Sequence, residues 1–362
     1  MPTLETSLEY CTYCPTLCRH ACPVSTVEAR ETYTPQTKMA TMRLLRLHLV
    51  DSDVEATASL YACSACGACS EQCRHHIQPG VHLFQGRHEA ERRGHGHPAL
   101  ASLPERVRAH GEASAARLRE LFPGPRDPSA PVAILPSCEE PEAARAVIAL
   151  AARFGERVEV ADVRSGCGGY PLLAGGFFEA FRVHAEALAH DLGGHAKLLV
   201  ACPACAWTLK VQFPEHGVPL AAKVLHPVEF LAPLLAAATL PPRTGDQAAV
   251  AYHDPCYLGR HLGVYEAPRD LLRQVRPLVE LPRRRQESVC SGGGGLLPLT
   301  MPAAAEAMAR ERAAEIRETG ATVVATACAS CRKRLTRDGV TAVDLVELVE
   351  RELAGAAPRT AS

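Results

Sequence analysis

The pattern of apolar positions changes near residue 130. Before that point apolar residues recur at helical spacing, as at Met42, Leu45 and Leu49 within residues 38–50, and β-branched runs are absent. Residues 53–61 read as a second short helix. Residues 100–121 read as an Arg/Glu-rich helix covering a domain junction. Four prolines within 122–131 mark a linker. Beyond it, short apolar runs alternate with Ala- and Leu-rich helical stretches, as in α/β proteins. Strands are expected at 132–135, 158–163 and 197–201, with helices at 141–154 and 177–192. After a break at 240–245 the order returns: strands at 248–253, 278–281 and 322–326, helices at 267–275 and 303–318. The HPVEFL segment starting at His226 is echoed by DLVELV starting at Asp344. A repeat of about 110 residues predicts two pseudo-twofold lobes rather than a solenoid. The fold class is therefore α+β and multidomain: a small all-helical domain, then two α/β lobes with short parallel sheets. The expected domains are 1–100, a helix and linker at 101–131, and lobes at 132–240 and 246–355.

Composition narrows the function. The chain has 362 residues, 47% of them hydrophobic and 22% charged, with a net charge of -1. Nothing here pulls the chain toward nucleic acid or anionic lipid. A single tryptophan leaves little material for stacking on bases. The Arg283, Arg284 and Arg285 run reads as a solvated loop, with a docking patch as the alternative. The longest apolar stretch, 228–240, contains Glu229 and Pro233 and reads as a buried helix, being shorter than the roughly 18 residues of a membrane span. Residues 1–10 are polar and unlike a secretory signal. Sixteen cysteines without such a signal predict a reducing compartment.

Those cysteines carry the chemistry. The first run is Cys11, Cys14, Cys18 and Cys22, followed by Pro23; the second is Cys63, Cys66, Cys69 and Cys73. Both approach C-x₂-C-x₂-C-x₃-C-P, in which three close cysteines bind one cluster and the fourth crosses to the other. The expected sets are Cys11, Cys14, Cys18 and Cys73 for one [4Fe–4S] cluster, and Cys63, Cys66, Cys69 and Cys22 for a second. The first run departs by an extra residue between Cys14 and Cys18, the second by Arg74 in place of proline. Zinc is the rival, but a tetrahedral site usually draws two cysteines from each of two knuckles. In the lobes, cysteines follow expected strands, where open α/β sheets gather ligands. Cys138, Cys167, Cys202 and Cys205 form the expected metal set of the first lobe, and Cys256, Cys290, Cys328 and Cys331 that of the second. Iron–sulfur, zinc and a thioredoxin-like dithiol all use C-x-x-C pairs, but two further cysteines aimed at each crevice favour ligation. No C-x-x-C-H haem site occurs. His20, His75 and His76 flank cluster cysteines and read mainly as solvent-facing residues, with tuning of potential as the functional alternative.

With its helical ferredoxin-like region and two cysteine–glycine repeats, the chain resembles the CCG-domain iron–sulfur proteins. These include catalytic subunits of heterodisulfide reductase, the glycolate oxidase iron–sulfur subunit, the C subunit of anaerobic glycerol-3-phosphate dehydrogenase, and lactate-utilisation proteins. The stretch from His253 through Asp254, Pro255 and Cys256 to His261 is similar to the start of a second CCG repeat. The family repeat carries an adjacent Cys-Cys-Gly; here Gly166 precedes Cys167, and Ser291 follows Cys290. The resemblance implies two [4Fe–4S] clusters in the N-terminal domain and up to two further iron–sulfur clusters in the lobes. It implies an electron-transfer subunit taking electrons from a flavoprotein dehydrogenase or FAD-containing subunit, and delivering them to a membrane quinone-reducing subunit or another redox protein. The implied location is cytoplasmic, or peripheral at the inner face of the plasma membrane through a partner. The alternative is a heterodisulfide reductase-like subunit reducing a disulfide at a lobe cluster, with His253, Asp254 and His261 as candidate catalytic residues. Four cysteines per lobe fall one short of that chemistry and favour relay. A zinc scaffold without redox activity is the third reading.

Overall fold

The computed structural model of the chain describes residues 3–124, 126–127, 130–239 and 248–354. The expected break at 240–245 lies outside the described residues, as do parts of the linker. Contacts divide the chain into two compact units: 1–107 with 171–181 and 283–312, and 108–170 with 182–282 and 313–362.

The first unit is helical. Its centre is the helix Pro35–Arg46, started by Thr34, whose hydroxyl accepts from the Thr37 N–H, and by Pro35 in the first turn. This helix buries Met39, Met42 and Leu45 and packs against Leu4–Tyr13, Val54–Tyr61 and Pro79–Arg92. The expected helix at 38–50 thus begins and ends a few residues earlier, and Leu49 is exposed. Asp53 caps Val54–Tyr61 through the Ala56 N–H.

The second unit holds both sheets. Strands β1 (Val132–Leu135), β2 (Glu159–Val160), β3 (Lys197–Val200) and β4 (Lys223–Leu225) lie in the order β2-β1-β3-β4. Strands β5 (Val250–Tyr252), β6 (Leu278–Glu280), β7 (Val323–Thr326) and β8 (Thr341–Asp344) repeat it as β6-β5-β7-β8. Every pairing is parallel. The central strands are buried on both faces, which is why they read as unbroken apolar runs. The edge strands β4 and β8 were not expected from the sequence: their residues are mixed rather than an unbroken apolar run. Helix Ala144–Arg153 packs on Leu345–Ala354, and Pro227–Ala237 packs on Glu266–Val275. Exchanging the two repeats interconverts these contacts, as a pseudo-twofold arrangement requires. No helix among the described residues is long and apolar enough to cross a membrane.

Candidate functional site

Each four-cysteine run of the first unit starts from a helix end or a tight turn. Cys11 occupies the last turn of Leu4–Tyr13, and Cys14 is its C-cap, returning its N–H to the Cys11 carbonyl. Thr16 adopts a φ of 64°, and this left-handed reversal takes up the extra residue before Cys18. Cys18 then opens the 3₁₀ turn Arg19–Ala21. Cys73 joins Cys11, Cys14 and Cys18 on the wall of one cavity of about 310 Å³, which Cys69 also touches. Burial, reinforced by neighbouring thiolates, pushes the Cys11 thiol up to about 12 and Cys18 up to about 11.

Cys22, Cys63, Cys66 and Cys69 line a second cavity together with Lys38, Gly80 and Leu83. Ala65 and Gly67 turn the intervening loop with φ of 52° and 75°. The Ala65 N–H donates to Cys63 Sγ at 3.3 Å. Gly80 closes the wall: a Cβ there would stand 3.0 Å from the Ala65 Cα. Burial raises Cys63 and Cys69, while the charges of Lys38 and Arg87 act on Cys63 in the opposite sense. Thiols so crowded give up their protons only to a strongly cationic partner. Among the described residues no three Cys, His, Asp or Glu side chains converge on a point that one ion could occupy. A single zinc needs four donors at about 2.3 Å from one point. Sulfurs arranged around a space, with backbone N–H groups directed at them, fit a multi-iron cluster better.

In the second unit, Cys138 follows β1, Cys167 follows β2, and Cys202 and Cys205 follow β3 across a helix start. The Cys138 and Cys167 thiols hydrogen-bond each other, as do Cys202 and Cys205, and Cys205 feels the charge of the other three. The four expected residues of the first lobe therefore meet. His110, which the sequence did not single out, hydrogen-bonds Cys138, and that contact raises its pKa. Gly168 passes so close to Cys205 that a Cβ would lie 2.6 Å from the Cys205 Cβ. At Gly166 a Cβ would fall 2.3 Å from Ser114 Oγ and 2.8 Å from its Cβ. The helix Leu103–Leu121 fills the place where the family doublet carries its extra cysteine.

The second set is divided. Cys256, Cys328 and Cys331 belong to the second unit, whereas Cys290 belongs to the first. Cys328 and Cys331 hydrogen-bond each other, and Cys202 of the first lobe lies close enough to raise Cys328. Between the two C-x-x-C starts stands His226, whose Nε2 meets the Ala201 carbonyl at 3.1 Å and also bonds the Ala327 backbone. Each of those carbonyls directly precedes a cysteine, Cys202 or Cys328. Cys290 receives the Gly292 N–H at 3.3 Å and borders a cavity of about 250 Å³ with His20, Gln72 and Glu311.

The candidate catalytic residues sit as follows. Asp254 accepts two hydrogen bonds from Arg269, at 2.7 and 2.9 Å, and Arg269 is fully buried and also bonds Glu280. His253 is buried, its N–H donating to the Ala325 carbonyl at 3.0 Å. His261 stacks on Tyr257 at 4.3 Å beside Trp207. His75 lies against Tyr10 near the first cavity, His20 is exposed, and His76 is exposed at a φ of 54°.

Comparison with known proteins fits this geometry. Residues 7–77 match the 4Fe-4S dicluster domain, and residues 250–336 match the CCG cysteine-rich domain. The chain thus carries one region similar to the 4Fe-4S dicluster domain and another similar to the CCG cysteine-rich domain. It is 32% identical over 191 residues to the D subunit of dihydromethanophenazine:CoB–CoM heterodisulfide reductase from Methanosarcina barkeri, covering 48% of this chain and 47% of the relative. It is 27% identical over 305 residues to the B subunit of fumarate reductase (CoM/CoB) from Methanothermobacter marburgensis, covering 80% and 60%. A 103-residue stretch is 36% identical to EtfAB:quinone oxidoreductase of Syntrophomonas wolfei, covering 28% and 14%. The chain thus spans about half the length of the curated relatives it matches.

Proposed function

We propose that the chain is an iron–sulfur electron-transfer subunit, receiving electrons singly from a flavoprotein dehydrogenase and passing them toward a quinone or redox-protein acceptor. Cys11, Cys14, Cys18 and Cys73 hold one [4Fe–4S] cluster and Cys22, Cys63, Cys66 and Cys69 the other. Cys138, Cys167, Cys202 and Cys205 hold a further cluster in the first lobe, and Cys256, Cys328 and Cys331 serve as ligands in the second. Bound there, such clusters supply one-electron storage without bond-making. The protein's part is to fix the thiolates, direct N–H groups such as that of Ala65 at them, and keep water from the buried sulfurs. The observation that carries the reading is that the eight cysteines of residues 7–77 line two cavities, with Cys22 and Cys73 each on the wall of the opposite run and Cys69 touching both. Around the first cavity Tyr10, Tyr13 and Leu17 are 45%, 75% and 56% exposed. An apolar rim of this kind suits docking of a partner beside a cluster. The relative named for quinone and EtfAB supports both ends of the path. The crowding at Gly166 weighs against a five-thiolate, disulfide-reducing cluster in the first lobe.

The test is iron and acid-labile sulfide on anaerobically purified protein, with EPR after dithionite reduction. About sixteen of each per chain is expected for four cubanes. About eight would confine clusters to the first unit and end the relay there. Iron-free, colourless protein would overturn the reading.

A further inference from the structure

Two long cations are buried beside the second cavity of the first unit. Lys38 is 1% exposed, lines that cavity, and points its Nζ at Cys22 Sγ, 3.9 Å away. Arg87 is 0% exposed and spends its donors on four backbone carbonyls: Leu60 at 2.9 Å, Ala174 at 2.7 Å, Gly295 at 2.9 Å and Cys63 at 3.1 Å. Arg87 therefore stands directly behind the Cys63 ligand position and ties three chain segments to it. Among the described residues neither cation has a carboxylate in an ion pair. Burying a charge without a counter-charge is expensive; Lys38 faces the Cys22 sulfur, and its charge also acts on Cys63. The first cavity differs. Its basic lining residues, Arg74 and His75, are exposed, where water screens them.

Resting on the iron–sulfur reading of residues 7–77, we infer that Lys38, supported by Arg87, is a potential-setting residue that makes the site of Cys22, Cys63, Cys66 and Cys69 the more easily reduced of the pair. The physical reason is charge balance. Uptake of one electron adds one negative charge to a buried site, and no proton or bond change accompanies it. A fixed cation at short range in low dielectric lowers the cost of that added charge. Lys38 acts on the site without binding it, and Arg87 adds to the same field while holding the Cys63 backbone in place.

The experiment is an EPR-monitored redox titration of the full chain, with iron and sulfide measured on every sample. Signals are assigned with Cys14→Ser and Cys66→Ser, each of which perturbs one site. In Lys38→Met the reduced-to-oxidised ratio of the second site at a fixed potential is expected to fall at least tenfold, equivalent to 59 mV for one electron. The first site stays within threefold. Lys38→Arg, which keeps the charge, stays near the parent at both sites. If Lys38→Met loses iron, Lys38→Gln, which keeps a donor to sulfur but not the charge, is titrated against the same criteria. A fully loaded neutral variant with an unmoved second site, or an Arg variant that shifts as far as the neutral one, overturns the inference. Absence of two cubanes from the parent chain instead overturns the proposed function.

Discussion

Single residues decide which chemistry the lobes can carry. Gly166 is the clearest case. In sequence it is only a missing cysteine; in the structure it is a position where Ser114 leaves no room for any side chain. Gly166→Cys is expected to destabilise the protein by about 1–3 kcal/mol through overpacking, read as a lower midpoint in urea. Adding Ser114→Gly should recover most of that loss. Equal stability of the single variant and the parent would show that the helix can yield. Asp254 makes a related point. Its carboxylate is engaged by a fully buried arginine that also grips Glu280, so the histidines and acids near Cys256 are tied into the fold before any reaction is considered.

At the scale of elements, the echo between the segments after β4 and β8 has a physical cause. His226 and Asp344 are the caps of the last helix in each repeat. His226 Nδ1 accepts from the Val228 N–H at 3.4 Å, and Asp344 Oδ1 accepts from Val346 at 2.8 Å and Glu347 at 3.1 Å. Burial affects the two caps in opposite senses of pH. It lowers His226 to about 4, so the unfolded chain binds the extra proton between pH 4 and 6.5. Stability from this cap is present above about pH 6.5 and is lost as pH falls toward 4. Burial raises Asp344 to about 6, so the folded chain holds the extra proton between 3.8 and 6. Stability from that cap is present below 3.8 and is lost as pH rises through 6. Each term is on the order of 3 kcal/mol across its window. Urea midpoints measured from pH 5 to 7 should rise less steeply with pH in His226→Asn than in the parent, and more steeply in Asp344→Asn. Parallel profiles for all three proteins would remove the caps from the account.

For the whole molecule, the two units differ in what holds them together. The second has two sheets with largely buried central strands and helices packed between repeats. The first is a set of helices without a sheet, with the cysteine loops set between them, so ligation there is also folding energy. Chelation of iron under anaerobic conditions should therefore abolish hydrogen-exchange protection in Leu4–Tyr13 and around 63–73, while β1, β3, β5 and β7 stay protected. Protection lost equally in the strands would mean that the lobes depend on metal as much as the helical unit does.

The sequence alone determined a good deal of this protein. Cysteine spacing marked every thiol that the structure gathers, because ligand geometry restricts the chain locally. Apolar periodicity gave the helical region and the central strands, and the doubled order of strands and cysteines gave the repeat. What it left open were matters of distance along the chain. Edge strands β4 and β8 take their identity from the neighbours they pair with, not from their own residues. His110 and His226 look like any other histidine until the fold brings one to Cys138 and the other to the carbonyls before Cys202 and Cys328. The helix that fills the space at Gly166, and the burial of Lys38 and Arg87 against the second cavity, depend on packing between segments far apart in sequence. Local pattern specifies which groups can bind a metal. Only the folded chain decides which charges and which neighbours those groups will face.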